Sequence, residues 1–158
     1  MSFATFSVPQ EYGYVVLAAT GSLFVSTWLG IRVGSFRRAA GVTYPNQYAT
    51  QAQIDAADGD EKKQKALYLF NCAQRGHYNY LENHTNLLFA MLTVGLRKPV
   101  TAAVMGGLWC VGRVLYAVGY TRPDVQNGKG RVIGIWATLI QLALQGMAGW
   151  EGYKLLAY

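Results

Sequence analysis

Five polar side chains recur along one stretch of the chain at the repeat of an α-helix. Asn71, Arg75, Asn79, Glu82 and Asn86 stand four, four, three and four positions apart, so a helix would align them as one stripe. They occupy Phe70-Asn-Cys-Ala-Gln-Arg-Gly-His-Tyr-Asn-Tyr-Leu-Glu82, which runs into the apolar Leu87-Leu-Phe-Ala-Met-Leu-Thr-Val-Gly-Leu96. Arg113, Tyr116 and Tyr120 make a second face at one-turn intervals. Arginine grips carboxylates bidentately, asparagine adds hydrogen bonds, and tyrosine brings a hydroxyl with an aromatic surface. Together they suit an anionic, peptide-like molecule with carboxylates. If that molecule carries an ordinary thiol, holding it about half ionised at pH 7 takes roughly 1.5 pK units, or about 2 kcal/mol. One close arginine in a partly desolvated site supplies that much.

A purely structural role competes for Arg75 and Glu82, in which the glutamate neutralises an arginine inside a buried network. His77 and His84, seven apart on one helix face, read as packed or hydrogen-bonded, and two histidines make no metal site. Cys72 and Cys110 fall on different elements without metal-ligand spacing, so they read as small packed thiols and no metal is expected.

The elements that must carry these residues are membrane helices. Charged residues make up 14% of the 158 against a usual quarter, and they cluster between long uncharged runs. The net charge of +6 follows the same clusters, which flank apolar segments as topology signals do rather than forming a nucleic-acid footprint. Tyr12 to Ile31 is uncharged and long enough to cross about 30 Å of hydrocarbon. Without Lys or Arg in the first eleven residues, it reads as a retained span rather than a secretory signal. Further spans are expected at 67–96, 99–120 and about 132–152. Residues 39–66, with their mixed charge run, read as a solvated connection, and Arg37 and Arg38 stand where a headgroup or an anionic ligand would meet them.

Four spans put both termini on one side. The first and third connections carry Arg37, Arg38, Lys62, Lys63, Lys65, Arg122, Lys129 and Arg131, and the opposite side carries Arg97, Lys98 and Lys154, so the former are expected in the cytosol. Arg75 and Arg113 then meet near the cytosolic ends of antiparallel helices. Lipid exposure of Arg75 or Glu82 would cost about 2.5 to 3.5 kcal/mol each, so the stripe must face protein, water or ligand.

The Phe70–Glu82 stretch, with Gly112-Arg-Val-Leu-Tyr-Ala-Val-Gly-Tyr120, resembles the membrane-associated proteins in eicosanoid and glutathione metabolism. The likeness covers almost the whole chain, including the Glu11-Tyr-Gly start, and is strongest to the type 3 microsomal glutathione transferase branch. It implies an all-α, integral membrane four-helix bundle, one domain over 1–158, assembling as a homotrimer. Glutathione, the co-substrate, would lie bent between subunits, with a lipophilic electrophile or lipid hydroperoxide arriving from the membrane lipid. By position, Arg38, Arg75, Asn79, Glu82, Arg113, Tyr116 and Tyr120 match glutathione contacts. In the leukotriene C4 synthase branch an arginine at the start of the fourth helix stabilises the thiolate, and Arg131 is the best match. The connection from Tyr120 to Arg131 is longer than in that branch, which brings Lys129 and Arg122 into the same space. Asn83 stands where that branch commonly has tyrosine, so its substrate wall does not transfer.

The expectation is therefore a membrane glutathione transferase with glutathione peroxidase activity, leukotriene C4 synthase-type conjugation included. Arg131 would hold the thiolate and Tyr116 or a bound water would donate a proton. The resemblance places it in the endoplasmic reticulum, with the mitochondrial outer membrane as the alternative, and its site facing the cytosol. The competing function is a non-enzymatic fatty-acid-binding scaffold, as the related five-lipoxygenase-activating protein implies. A transporter fits poorly, since no continuous charged path crosses all four spans.

Overall fold

A computed structural model describes residues 8–157; the remaining residues of the expected 1–158 domain lie outside the described ones. The described residues are helical, with no strand among them. In order they form α1 (Tyr12–Ala40), α2 (Gln51–Asp55), α3 (Glu61–Gly95), α4 (Pro99–Tyr120), a 3-10 segment (Gln126–Gly134) and α5 (Ala137–Ala157).

Helix α1 outruns its expected end at Ile31 by two and a half turns, because charge does not stop a helix. Gly41 does: it adopts φ 62°, its N–H donates to the Arg38 carbonyl at 3.1 Å, and Val42 N–H donates to that of Arg37 at 3.3 Å. Arg32, Arg37 and Arg38 thus lie on the helix. Arg32 Nη2 donates to Thr121 Oγ1 at 2.5 Å, pinning the end of α1 to that of α4.

The 39–66 connection is only partly the solvated loop expected. Thr50 caps α2 in a reciprocal arrangement with Gln53. Asp60 Oδ1 then accepts from Lys63 N–H at 2.9 Å, so α3 starts at Glu61, six residues before Leu67. The end of the charge run, from Glu61, is the first turn of a helix, with an acidic residue where the helix dipole favours one. Pro99 opens α4 at its first turn, where the missing N–H costs nothing.

The fourth expected span, 132–152, is broken. The 3-10 segment meets α5 at a bend of 47°, after Asn127 and Gly128 turn with φ 56° and 59°. The segment lies tight on α4: a Cβ on Gly134 would stand 2.1 Å from the Gly112 carbonyl oxygen. Arg131 therefore sits in the 3-10 segment, ahead of the helix it was expected to begin.

Helix α1 packs on α3 and α4, α3 on α4 and α5, and α4 on the 3-10 segment and α5. The main core contains Tyr80, Leu87, Met91, Trp109 and Leu144, and a smaller one gathers Val42, Ala57, Leu67 and Phe70 at the charged end. Helix α4 comes close to α3 at Gly106, where a Cβ would run into Met91 Sδ, whereas Gly107 has open space. Leu17, Phe24, Ile31, Phe89 and Leu139 stand exposed, an apolar exterior suited to lipid. Helices α1 and α4 are long and apolar enough to cross a membrane, and the bent pair makes a third if it is one span. The polar stripe lowers the apolarity of α3, so that helix does not qualify by the same measure despite its 35 residues.

Candidate anion site on helices 3 and 4

The stripe forms as its spacing implies, but its members have different partners. Arg75 Nη1 donates to Glu82 Oε1 at 2.8 Å, with 47% and 48% of the two side chains exposed. Asn71 Oδ1 accepts from Ala49 N–H at 2.8 Å, which uses it to hold the connection after α1. Asn86 is exposed at the outer end.

Asn79 reaches the second face. Its Oδ1 accepts from Arg113 Nη1 at 2.7 Å. Arg113 is almost wholly buried, 3% exposed, and its Nη2 donates to Gln141 Oε1 at 3.4 Å. Its guanidinium lies 5.0 Å from the Trp109 ring and 5.9 Å from that of Tyr116. Arg113 Nε is buried without an acceptor among the described residues. A cation that deep requires acceptors, and this one retains donor capacity.

Tyr116 and Tyr120 meet edge to face at 5.6 Å. The Arg131 guanidinium lies 5.2 Å from the Tyr120 ring, held by Nη1 donating to the Gly128 carbonyl at 2.9 Å and to that of Asn127 at 3.2 Å. The turn itself is fixed to α3 by Gly128 N–H, which donates to Tyr68 Oη at 2.6 Å. As a result Arg131 is held beside the Tyr116–Tyr120 pair. Of the other basic candidates near that turn, Arg122 is paired with Asp124 at 2.5 Å, which holds that carboxyl below its ordinary range. Lys129 is exposed.

The adjacent arginines at the end of α1 separate. Arg37, 8% exposed, donates from Nη1 to the Asn46 carbonyl at 2.6 Å. It packs 4.3 Å from the Tyr44 ring and 4.8 Å from that of Phe70. It is a clamp on the chain, not the contact for a headgroup or an anionic ligand that its position suggested. Arg38 is exposed and donates to Ser35 Oγ at 3.4 Å; no hydrogen bond or ion pair joins it to the Arg75 cluster among the described residues.

Sequence reasoning missed Tyr48. It stacks on Tyr78 at 6.3 Å and lies within electrostatic reach of Arg75, Glu82 and Tyr120; partial burial pushes its phenol up, against the pull of Arg75. Nothing in the periodicity could reveal it, because it comes from a loop fastened by Asn71 and Arg37. His84 is a packing residue, as expected, with Nε2 2.8 Å from Ser22 Oγ on α1. No group of three or more metal-ligating side chains occurs among the described residues.

The site thus combines a half-exposed ion pair, a desolvated guanidinium and two tyrosines, with a third arginine supported on a turn. Comparison with known proteins agrees with a membrane reading. A family model described as "MAPEG family" matches residues 15–150. A protein of the cyanobacterium Synechocystis sp., described as uncharacterized, is 30% identical over 113 residues, covering 71% of this chain and 70% of its own.

Proposed function

The chain belongs to the MAPEG family, and from that premise we propose that it is a membrane glutathione transferase with glutathione peroxidase activity, of the type 3 microsomal branch. Family membership supports this because the family includes glutathione transferases and related proteins. The observation that carries the reading is the placing of two guanidinium groups on one pair of tyrosines: Arg113 lies 5.9 Å from the Tyr116 ring and Arg131 5.2 Å from that of Tyr120, the two rings meeting at 5.6 Å. Two guanidinium groups on that pair, with Arg75 on the same stripe as the Asn79 that holds Arg113, suit an anion with more than one negative group.

In this reading Arg75 and Arg113 bind the glutathione carboxylates, and Asn79, Glu82 and Tyr120 complete its peptide and amine contacts. Arg131 stabilises the thiolate and Tyr116 donates a proton to the oxygen that leaves. With an epoxide, sulfur bonds to carbon as the C–O bond opens and that oxygen takes the proton. With a hydroperoxide, sulfur takes the terminal oxygen as the O–O bond breaks, giving an alcohol and a sulfenic acid. A second glutathione converts the sulfenic acid to disulfide and water. Leukotriene C4 synthase-type conjugation is the epoxide case.

The half-exposed Arg75–Glu82 pair supports a four-helix bundle assembling as a homotrimer. Left against lipid, those charges would cost about 2.5 to 3.5 kcal/mol each, and a second copy supplying Arg38 covers them. The reading places the protein in the endoplasmic reticulum membrane with the site facing the cytosol. It is tested with the protein in lipid nanodiscs, by following loss of glutathione thiol and product formation with a fatty-acid hydroperoxide and a fatty-acid epoxide. Turnover with either is expected. Glutathione binding without turnover of any lipophilic electrophile would overturn the enzymatic reading and favour the scaffold.

A further inference from the structure

Arg113, Gln141 and Asn83 join Asn79 in a hydrogen-bonded ring between α3, α4 and α5 that passes through both the side chain and the main-chain carbonyl of Asn79. Arg113 Nη1 donates to Asn79 Oδ1 at 2.7 Å, and Asn83 Nδ2 donates to the Asn79 carbonyl at 2.7 Å. Gln141 Nε2 donates to Asn83 Oδ1 at 3.2 Å, and Gln141 Oε1 accepts from Arg113 Nη2 at 3.4 Å. Trp109 Nε1 also donates to Gln141 Oε1, at 3.0 Å. Gln141 and Arg113 are 4% and 3% exposed.

We infer that Gln141 is a positioning residue for Arg113, and that this ring orients the guanidinium without neutralising it. The inference rests on the reading of Arg113 as part of the glutathione site.

The ring has one polarity. Turning the Gln141 amide over would set its NH2 against the N–H groups of Trp109 and Arg113, and its oxygen against Asn83 Oδ1. The Asn83 amide is held in the same way, its Nδ2 donating to the Asn79 main-chain carbonyl and its Oδ1 accepting from Gln141 Nε2. Both acceptors offered to Arg113 are uncharged amide oxygens, and the one carboxylate of the α3 stripe, Glu82, is taken by Arg75. The guanidinium is hydrogen-bonded at both terminal nitrogens, yet its charge remains for an incoming anion. A carboxylate at 141 would keep the acceptor and quench that charge. The loss of any acceptor would let the guanidinium turn.

The experiment compares Gln141→Leu, Gln141→Glu and Asn83→Leu with the parent protein in nanodiscs. Glutathione Kd is measured by titration calorimetry, and phenylglyoxal labelling of individual arginines by peptide mass spectrometry. Gln141→Leu and Gln141→Glu should each raise Kd about tenfold without lowering the number of binding sites. Gln141→Leu should also speed labelling of Arg113 severalfold and leave Arg75 unchanged. Adding Asn83→Leu to Gln141→Leu should cost little more, because both break one ring. Wild-type Kd and wild-type Arg113 labelling in Gln141→Leu would overturn the inference, as would a loss confined to the number of competent sites. If the parent protein binds no glutathione, it is the proposed function that fails. The Arg113 labelling then decides the ring by itself.

Discussion

Arg75 and Glu82 face each other at 2.8 Å across two turns of α3, with about half of each side chain open in the single chain. A pair of this kind contributes little to stability in water, so a carboxylate from outside the chain can compete for the guanidinium at small cost. Replacing Arg75 with alanine should raise the glutathione Kd by about tenfold or more. Arg75→Lys should recover only part, since an ammonium cannot grip a carboxylate bidentately. Calorimetry checks both, and an unchanged Kd in Arg75→Ala removes this residue from the site.

Arg131→Ala separates chemistry from binding. The arginine should lower the pKa of bound thiol by roughly 1.5 units, so its removal shifts the rise of kcat with pH upward by about that amount. At pH 7 the thiolate population and kcat should fall by roughly tenfold or more, with a much smaller change in glutathione Kd. The pH profile of single-turnover rates is the measurement, and a profile that does not move assigns the thiolate to another group.

Arg37 and the chain after α1 make a stability prediction. Its guanidinium holds the Asn46 carbonyl and packs on Tyr44 and Phe70, so Arg37→Ala should cost about 2 to 3 kcal/mol. Proteolysis between Gly41 and Thr50 should accelerate with it. Thermal melting that matches the parent protein would show that the clamp is dispensable.

A methyl group tests the seat of the 3-10 segment. Gly134→Ala would place a Cβ 2.1 Å from the Gly112 carbonyl oxygen and 2.4 Å from Tyr116 N, so the segment must lift from α4 at a cost of about 1 to 3 kcal/mol. Because Arg131 rides on that segment, thiolate formation should fall too. Gly107→Ala, with nothing within 4 Å, is the control and should be neutral or slightly stabilising. Equal melting temperatures for the two variants would contradict this packing.

The helical nature of α3 and α4, and the alignment of Arg75, Asn79 and Glu82 on one stripe, were legible in the chain because helical periodicity is a local property. The paired stripes on Phe70–Glu82 and Gly112–Tyr120 also carried the family resemblance that the match over residues 15–150 bears out. Element ends were not legible. The left-handed turn at Gly41 ends α1 and the Asp60 cap starts α3, whereas apolar runs record only where lipid would be. Arg131 went astray for the same reason, since the turn at Asn127 and Gly128 and the close approach of Gly134 to α4 are backbone events.

Residue types by themselves set which side chains can donate, accept or carry charge; only the tertiary structure decided who meets whom. Arg37 and Arg38 are the same residue one position apart, yet a rotation of about 100° around α1 buries one against Phe70 and leaves the other exposed. Asn71 and Asn79 lie on one stripe, yet one holds a loop and the other holds Arg113. A helix dictates which residues share a face. What that face meets depends on packing between segments far apart in the chain, and no local rule encodes it.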